Sequence, residues 1–324
     1  MLPPEGGREL TAIPLKEVDR VEILTILDNN IDLLLPSAEN VQRLPFAPDL
    51  LTRDNPVAEH GFAALVTVRS GATSASLLFD TGLSKTGLVH NMDVLGLKAG
   101  DLQAIVLSHG HADHTQGLPI LVDRLGKRKM PLVLHPDAFL QRKLVLPDGL
   151  EVNLPPPDRR KLSQDGIDFV EERGPSLLLD DLLLVTGQVP RATSFEVGLP
   201  LHHALIDGSW QPDPYLYDDQ AIVVHVRDKG LVVLTGCGHA GVINTIQQAQ
   251  QLTGVGEIVA VMGGFHLSGL FFEQAIEPTV AALKQIEPGL IVPAHCTGWK
   301  ATHRIAREFP NAFVQNSVGT RFLL

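Results

Sequence analysis

The chain has 324 residues, of which 44% are hydrophobic, and its formal net charge at pH 7 is −11. This length and apolar content allow a large buried core, which excludes a disordered chain and a small disulfide scaffold. The acidic charge and the lack of clustered Lys and Arg argue against a nucleic-acid partner, because phosphate neutralisation needs such clusters.

Short apolar runs alternate with helical patterns, and this alternation predicts α/β layering. The predicted strands are, in chain order, residues 21–27, 62–69, 75–80, 104–107, 131–135, 221–226, 231–235, 257–262 and 290–293. The predicted helices are residues 84–96, 116–126, 241–252, 273–286 and 299–308. We expect one domain over 1–324, in which the Leu- and Pro-rich range 144–220 is an insertion or lid region.

The two cysteines, Cys237 and Cys296, do not form a disulfide framework. The N-terminus lacks a basic region followed by an apolar run, and no stretch approaches about 18 uninterrupted apolar residues. We therefore expect a cytoplasmic protein without a membrane partner, acting on a small-molecule substrate. The oligomeric state is left open.

The segment SHGHADH, residues 108–114, carries the strongest chemical signal in the sequence. It follows a predicted strand and precedes a predicted helix, so its loop can direct three imidazoles and a carboxylate towards one point. Imidazole and carboxylate are ligands that suit zinc and related divalent ions. With thirteen His in the chain, the pattern is expected by chance only about 0.001 times.

Three further histidines repeat this local context. His239 lies in TGCGHAG, His266 in GGFHL and His295 in AHCTG, and each segment follows an apolar strand. In layered α/β folds, ligands collect where strand ends meet. The shared context therefore predicts one common site for these loops and the SHGHADH loop.

These segments, together with LLFDTG (77–82) and TGQVPR (186–191), resemble the metallo-β-lactamase superfamily. The closer resemblance is to its subgroup named for 7,8-dihydropterin-6-methyl-4-(β-ribofuranosyl)aminobenzene 5′-phosphate synthase. The resemblance implies a four-layer αββα sandwich, with a metal site at one edge between two sheets. It also implies one or two divalent ions, with zinc expected and manganese or iron as alternatives. The implied ligands are His109, His111 and His239 for the first ion, and Asp113, His114 and His295 for the second.

The sequence departs from the general superfamily pattern at two places. Cys237 stands where a bridging Asp usually follows a Thr-Gly dipeptide, and Asp218-Asp219-Gln220 stands where a further His is usual. One tightly bound ion with a weaker second one is compatible with these departures. Cys237 has two interpretations, a small buried residue beside the ligands or a thiolate ligand, and we favour the first.

Several residues are predicted to support the site. Asp80 is expected to orient a metal-bound His through its other ring nitrogen, with turn capping as the alternative. Arg191 is a candidate for binding an anionic substrate, with a surface position as the alternative. His60 either lines the cleft or is structural. Trp210, Tyr215 and Tyr217 either stack on a flat ring or pack the insertion. The other histidines are expected to be ordinary surface or core residues: His90, His135, His202, His203, His225 and His303.

The expected chemistry follows from the metals. Zinc-like ions lower the pKa of bound water towards roughly 7, so a hydroxide is available to attack phosphorus or an acyl carbon. Asp113 is predicted to orient this nucleophile, and His266 to contact the substrate and help stabilise the developing oxyanion. The absence of G-x-S-x-G and G-x-x-x-x-G-K-[ST] motifs argues against a serine hydrolase and an NTPase.

These observations favour a metal-dependent hydrolase or transferase that acts on a small phosphoester, pyrophosphate or related ester. One alternative is the subgroup's synthase reaction, in which a pterin pyrophosphate ester condenses with an aminobenzene ribofuranosyl phosphate and pyrophosphate leaves. A second alternative is a non-catalytic metal-binding protein. A superfamily nuclease is disfavoured by the acidic charge.

Overall fold

The structure is a computed structural model that describes residues 12–126 and 128–324. The first eleven residues, which contribute to the expectation of no signal peptide, lie outside the described residues. The strands are β1 (Glu17–Val18), β2 (Arg20–Leu27), β3 (Val41–Gln42), β4 (Ala63–Ser70), β5 (Thr73–Phe79), β6 (Ala104–Val106), β7 (Met130–Leu134), β8 (Arg142–Val145), β9 (Glu151–Leu154), β10 (Ile167–Glu171), β11 (Ser176–Leu178), β12 (Leu183–Val185), β13 (His202–Ile206), β14 (Ser209–Pro212), β15 (Ala221–Val226), β16 (Gly230–Thr235), β17 (Ile258–Gly264), β18 (Leu290–Ala294) and β19 (Arg321–Leu323). The helices are α1 (Gly87–Val94), α2 (Ala112–Thr115), α3 (Leu118–Leu125), α4 (Arg159–Gln164), α5 (Val242–Thr253), α6 (Ile276–Ile286) and α7 (Trp299–Glu308).

Most of these strands form two large sheets that pack against each other. The first sheet has the order β10-β7-β6-β5-β4-β2-β19-β3, and the second has β11-β12-β15-β16-β17-β18 with β1 beside β15. Alternate residues of a strand point to opposite faces. In β15, Ile222 and Val224 therefore lie in the core between the sheets, whereas Val223 packs in the core under the helices.

Helices cover the outer face of each large sheet. Ile243 and Ile246 of α5 and Val280 of α6 pack on the second sheet, together with residues of α7. Leu88 of α1 and Leu121 of α3 pack on the first sheet. The predicted four-layer αββα sandwich is confirmed. Strands covered on both faces are expected to be continuously apolar, which explains the short runs that the sequence shows.

The range 144–220, predicted to be one insertion, is divided among three sheets. Strand β10 forms an edge of the first large sheet, and β11 and β12 form an edge of the second. The remaining strands of this region form a separate small sheet of order β14-β13-β8-β9, antiparallel throughout. Residues of this range therefore contribute to both large sheets as well as to the small sheet.

Each predicted strand and helix has an observed counterpart, with ends shifted by a few residues. The predicted helix 273–286 begins as a 3₁₀ turn, Glu273–Ala275, and continues as α6 from Ile276. Pro278 lies in the first turn of α6, where its missing N–H breaks no helical hydrogen bond. None of the helices in the described ranges is both long and apolar enough to cross a membrane.

Candidate metal centre

The ends of four strands deliver the histidine loops to one place. His109 and His111 follow β6 of the first sheet, and His239, His266 and His295 follow β16, β17 and β18 of the second. Strands β16, β17 and β18 are parallel neighbours, so their carboxyl ends share one edge of the sheet. Because of this topology, histidine loops that each follow a strand in the sequence lie together as one cluster in the structure.

The first group consists of His109, His111 and His239. All three are buried, and one ligand atom from each lies within 4.8 Å of the others. Within the described part of the chain, the Nε2 atom of each ring has no hydrogen-bond partner. Burial lowers the pKa of His111 to about 3 and lowers the pKa of His109 and His239 well below the usual value. Neutral imidazole is the form that binds a metal, so the first group fits a divalent ion.

The second group consists of Asp113, His114, Cys237 and His295, whose ligand atoms also lie within 4.8 Å of one another. Its members contact each other: His114 Nε2 lies 3.2 Å from Cys237 Sγ, and His295 Nε2 lies 3.2 Å from Asp113 Oδ2. Carboxylate, imidazole and thiol together fit a second ion. The sulfur of Cys237 thus lies among the possible ligands, which supports the interpretation that we did not favour from sequence.

Asp80 anchors the second group from behind. Its Oδ2 lies 2.6 Å from His114 Nδ1, and its carboxylate accepts hydrogen bonds from the backbone N–H and the hydroxyl of Ser108. Burial lowers the pKa of His114, but the charges of Asp80 and Asp113 outweigh burial and raise this pKa to about 9. Asp80 therefore has the contact through the other ring nitrogen that its predicted role requires.

The Asp218-Asp219-Gln220 triplet ties the ligand loops together. Asp218 Oδ2 accepts a hydrogen bond from the Gly110 N–H at 2.9 Å, and Asp219 Oδ2 accepts one from the Ala240 N–H at 2.7 Å. Gln220 donates its side-chain N–H to the carbonyl of Leu107 at 2.8 Å. In the sequence this triplet marked only a missing His, whereas in the structure it fixes the loops of His109 and His239.

Arg142 links the small sheet to this triplet. Its guanidinium is buried and pairs with Asp218 and Asp213, with closest N–O distances of 2.8 Å to each. Asp218 is thus held by Arg142 on one side and by the backbone of Gly110 on the other. No local sequence pattern predicts this pair, since Arg142 and Asp218 lie 76 positions apart.

Backbone conformation is constrained around the site. His266 and His295 have φ angles of +46° and +47°, and Asp80 has +61°. Non-glycine residues in this left-handed region cost roughly 1–3 kcal/mol each and concentrate at functional sites. Gly110 has no space for a side chain, because a Cβ atom there would overlap the carbonyl of Ala138.

The two predicted substrate-binding residues have different surroundings. The His266 ring lies 4.0 Å from the His239 ring, between centroids, and its Nδ1 is buried without a hydrogen-bond partner among the described residues. Arg191 donates hydrogen bonds to the backbone carbonyls of His239 and Tyr215. One N–H group thus holds the His239 loop and the other holds the segment of Tyr215, so these contacts favour a structural role over anion binding.

His202 is a residue that sequence reasoning missed. It was expected at the surface or in the core, but its ring centroid lies 5.2 Å from that of His111 and 6.0 Å from that of His239. It is buried, and burial with the neighbouring His111 lowers its pKa to about 2. Nothing in the local pattern around 202 distinguishes it from the adjacent His203.

The remaining candidates lie at the edge of the site or away from it. His60 Nε2 lies 3.7 Å from Asp113 Oδ2, and its side chain is 65% exposed. Tyr215 and Tyr217 contact each other, with ring centroids 5.8 Å apart, and Trp210 lies beneath the Lys143 ammonium. All three rings are exposed, so they lie on the protein surface rather than among the candidate ligands.

Comparison with known proteins agrees with this geometry. A family model described as the metallo-β-lactamase superfamily matches residues 60–242. The chain is 28% identical, over 87% of its length and 96% of the relative, to a Methanocaldococcus jannaschii protein named 7,8-dihydropterin-6-methyl-4-(β-D-ribofuranosyl)-aminobenzene-5′-phosphate synthase. It is 31% identical to an uncharacterised protein of the same organism, over 81% of this chain and 92% of that one.

A solved structure is also similar. Tm1679, described as a metal-dependent hydrolase of the β-lactamase superfamily, superposes with a TM-score of 0.69 and 25% identity, covering 93% of this chain and 98% of that one. The family match, the relatives, the sandwich and the clustered ligands agree with one another. The chain belongs to the metallo-β-lactamase superfamily.

Proposed function

We propose that the protein is a metal-dependent enzyme that hydrolyses or transfers a small phosphoester, pyrophosphate or related ester. The observation that carries this proposal is the pair of adjoining ligand groups, in which the buried Nε2 atoms of four imidazoles lack hydrogen-bond partners in the described part of the chain. These imidazoles belong to His109, His111, His239 and His295. Buried polar atoms normally have partners, so this cluster is matched to a ligand that completes it. The named relative and the superfamily supply the precedent for an enzyme.

Each group has a distinct role in holding ions. The first group would hold one ion through three neutral imidazoles, and the second would hold another through a carboxylate, two imidazoles and a thiol. Zinc is the ion we propose, because it accepts nitrogen and sulfur ligands together, with manganese or iron as the alternatives. Bound divalent ions would polarise a substrate oxygen and acidify water at neutral pH.

Side chains at the opening of the site would position the substrate. The charges of His114 and His295 hold the pKa of Asp113 well below its usual range in spite of its burial, so this residue stays a carboxylate that can orient a nucleophile. His266 has an unpartnered ring nitrogen, as judged over the described residues, that can contact a substrate oxygen. We propose a small molecule as substrate, since the net charge of −11 disfavours a polyanion such as nucleic acid.

The test combines metal analysis with turnover. The purified protein would be assayed for bound metal and for hydrolysis of aryl phosphodiesters and phosphotriesters, before and after complete chelation. We expect turnover to be lost on chelation and restored by zinc. Unchanged turnover without metal would overturn the proposal. Tight metal binding with no turnover across a broad ester panel would identify a non-catalytic metal-binding protein instead.

A second candidate is the condensing synthase of the named relative. The 28% identity over 87% of this chain favours it, and cations can stabilise a leaving pyrophosphate as well as activate water. The assay is product formation from the purified pterin pyrophosphate ester and the aminobenzene ribofuranosyl phosphate. If no condensation product forms while other esters are hydrolysed in a metal-dependent way, this candidate function is rejected.

A further inference from the structure

We propose that His202 is a substrate-contacting residue, which the small sheet delivers to the first group and which hydrogen-bonds an oxygen of the bound phosphoester or related ester. The inference rests on the proposed function, because it assumes a substrate oxygen beside the first group. It assigns the small sheet (β8, β9, β13 and β14) a part in substrate recognition.

The position of His202 is fixed by its backbone. It begins β13, where its N–H donates to the carbonyl of Leu199 at 3.2 Å and its carbonyl accepts from the N–H of Asp213 at 2.9 Å. Pairing of β13 with β8 sets His202 opposite Leu144. The ring therefore projects from an ordered strand, and sites on such elements are more precise than sites on loops.

The small sheet is also fixed relative to the first group. Arg142 of β8 pairs with Asp218, and Asp218 accepts the N–H of Gly110 between His109 and His111. This chain of buried contacts joins the strand that pairs with β13 to the loop that carries two of the first-group ligands. His202 and His111 are thus held at a defined separation, with ring centroids 5.2 Å apart.

The free nitrogen of His202 indicates a contact that is not made within the protein. The residue is 2% exposed, and its Nδ1 has no hydrogen-bond partner among the residues that the structure describes. The ring is not part of the first group, whose ligand atoms lie within 4.8 Å of one another. A neutral imidazole offers one donor and one acceptor. An ester or phosphoryl oxygen beside the first group would accept the hydrogen bond.

The experiment compares three variants in the zinc-loaded full chain. His202→Phe removes both ring nitrogens, and His202→Gln keeps a hydrogen-bonding side chain. His203→Gln is the matched control, since adjacent strand residues point to opposite faces and His203 Nδ1 lies 3.2 Å from the Leu201 carbonyl oxygen. The measurements are metal content, thermal midpoint, the Kd for inorganic phosphate by calorimetry, and kcat and KM for an aryl phosphodiester.

We expect His202→Phe to keep its metal and to bind phosphate about tenfold more weakly, the usual cost of a lost hydrogen bond to a charged group. Its kcat/KM should fall at least as much. His202→Gln should recover part of both losses, and His203→Gln should match the wild type. If His202→Phe does not fold, His202→Gln tests the inference alone: a fully metal-loaded His202→Gln should bind phosphate more weakly than the wild type, and wild-type affinity and kcat/KM would overturn the inference.

Two results would overturn the inference. One is loss of metal in His202→Phe in proportion to its lost turnover, which would make His202 a support for the ligands. The other is wild-type phosphate affinity and turnover in His202→Phe, which would leave the proposed function standing. Conversely, suppose that the wild type hydrolyses no ester and yet binds phosphate more tightly than His202→Phe does. That result would contradict the proposed function but would support the contact between His202 and a phosphoryl oxygen.

Discussion

The two candidate ligand groups differ in the contacts and the protonation of their side chains. In the first group, three imidazoles leave their Nε2 atoms without hydrogen-bond partners in the described part of the chain. In the second group, His114 contacts Cys237 and His295 contacts Asp113, each at 3.2 Å. His295 Nε2 also has no hydrogen-bond partner among the described residues, so the groups differ in the His114–Cys237 contact and in the protons that their side chains carry.

This comparison predicts unequal affinities. Burial raises the pKa of the Cys237 thiol well above its usual value, and the charges of Asp80 and Asp113 raise the pKa of His114 to about 9. An ion at the second group must therefore displace protons from both side chains, whereas the imidazoles of the first group are already neutral. We expect the first ion to be bound more tightly and the second to leave first during chelation. The anchors differ in part: Arg142 and Asp218 hold only the first group, whereas Asp80 contacts His114 of the second group directly and reaches His109 of the first group through the Ser108 hydroxyl.

The largest effect is expected from His109→Ala, which removes a ligand of the first group. Two imidazoles cannot hold the ion tightly, so turnover should fall by roughly 10³-fold, equal to about 4 kcal/mol of transition-state stabilisation. Metal content by mass spectrometry and turnover on an aryl phosphodiester measure this. His303→Ala, at a histidine on α7 outside both groups, is the control. Full metal content in His109→Ala would contradict the assignment of the first group.

The next effect is expected from Arg142→Met, which tests the anchor of the first group. Breaking this buried pair leaves the charges of Asp213 and Asp218 uncompensated, so the free energy of unfolding should drop by about 3–5 kcal/mol. Urea unfolding measures this. The matched control is Arg124→Met, whose pair with Asp93 is exposed and whose loss should scarcely change the midpoint. Equal midpoints for the two variants would remove Arg142 as the anchor.

A smaller effect, larger at the second group than at the first, is expected from Asp80→Asn. The change keeps the shape of the side chain and removes the charge that faces His114 Nδ1. The affinity for the second ion should fall by about 10- to 100-fold, while the first ion stays bound. Competition with a chromophoric chelator measures both affinities, and Asp123→Asn, on the surface of α3, is the control. Equal weakening of both ions would show that the two groups are not separately anchored.

The smallest effect is expected from Cys237→Ser. Serine keeps the size of the side chain but is a poorer ligand for zinc, so zinc affinity at the second group should fall by about tenfold and its preference should shift towards manganese. Cobalt-substituted protein should lose its thiolate absorption in Cys237→Ser and keep it in Cys296→Ser. Cys296 is a suitable comparison because its Sγ donates to the Cys237 carbonyl and lies outside the second group. Unchanged thiolate absorption in cobalt-substituted Cys237→Ser would show that Cys237 is a packing residue and not a ligand.

The sequence by itself determined the layered fold and most of the candidate ligand set. Strands such as β6 and β16 are covered on both faces, so their residues form apolar runs that stand out from their surroundings. The ligands of one loop, from His109 to His114, are close in sequence and therefore form a local motif. His239 and His295 were found because each follows an apolar strand, and parallel strands end at a common edge.

Only the tertiary structure decided which distant side chains meet these ligands. The contact of His202 with the first group and the pair of Arg142 with Asp218 depend on how the small sheet is placed against the sandwich. The division of the range 144–220 among three sheets depends on strand order and register. Cys237 is placed among the ligands by the approach of loops from both large sheets. Such contacts join residues far apart in the chain, and local patterns of hydrophobicity or composition carry no information about them.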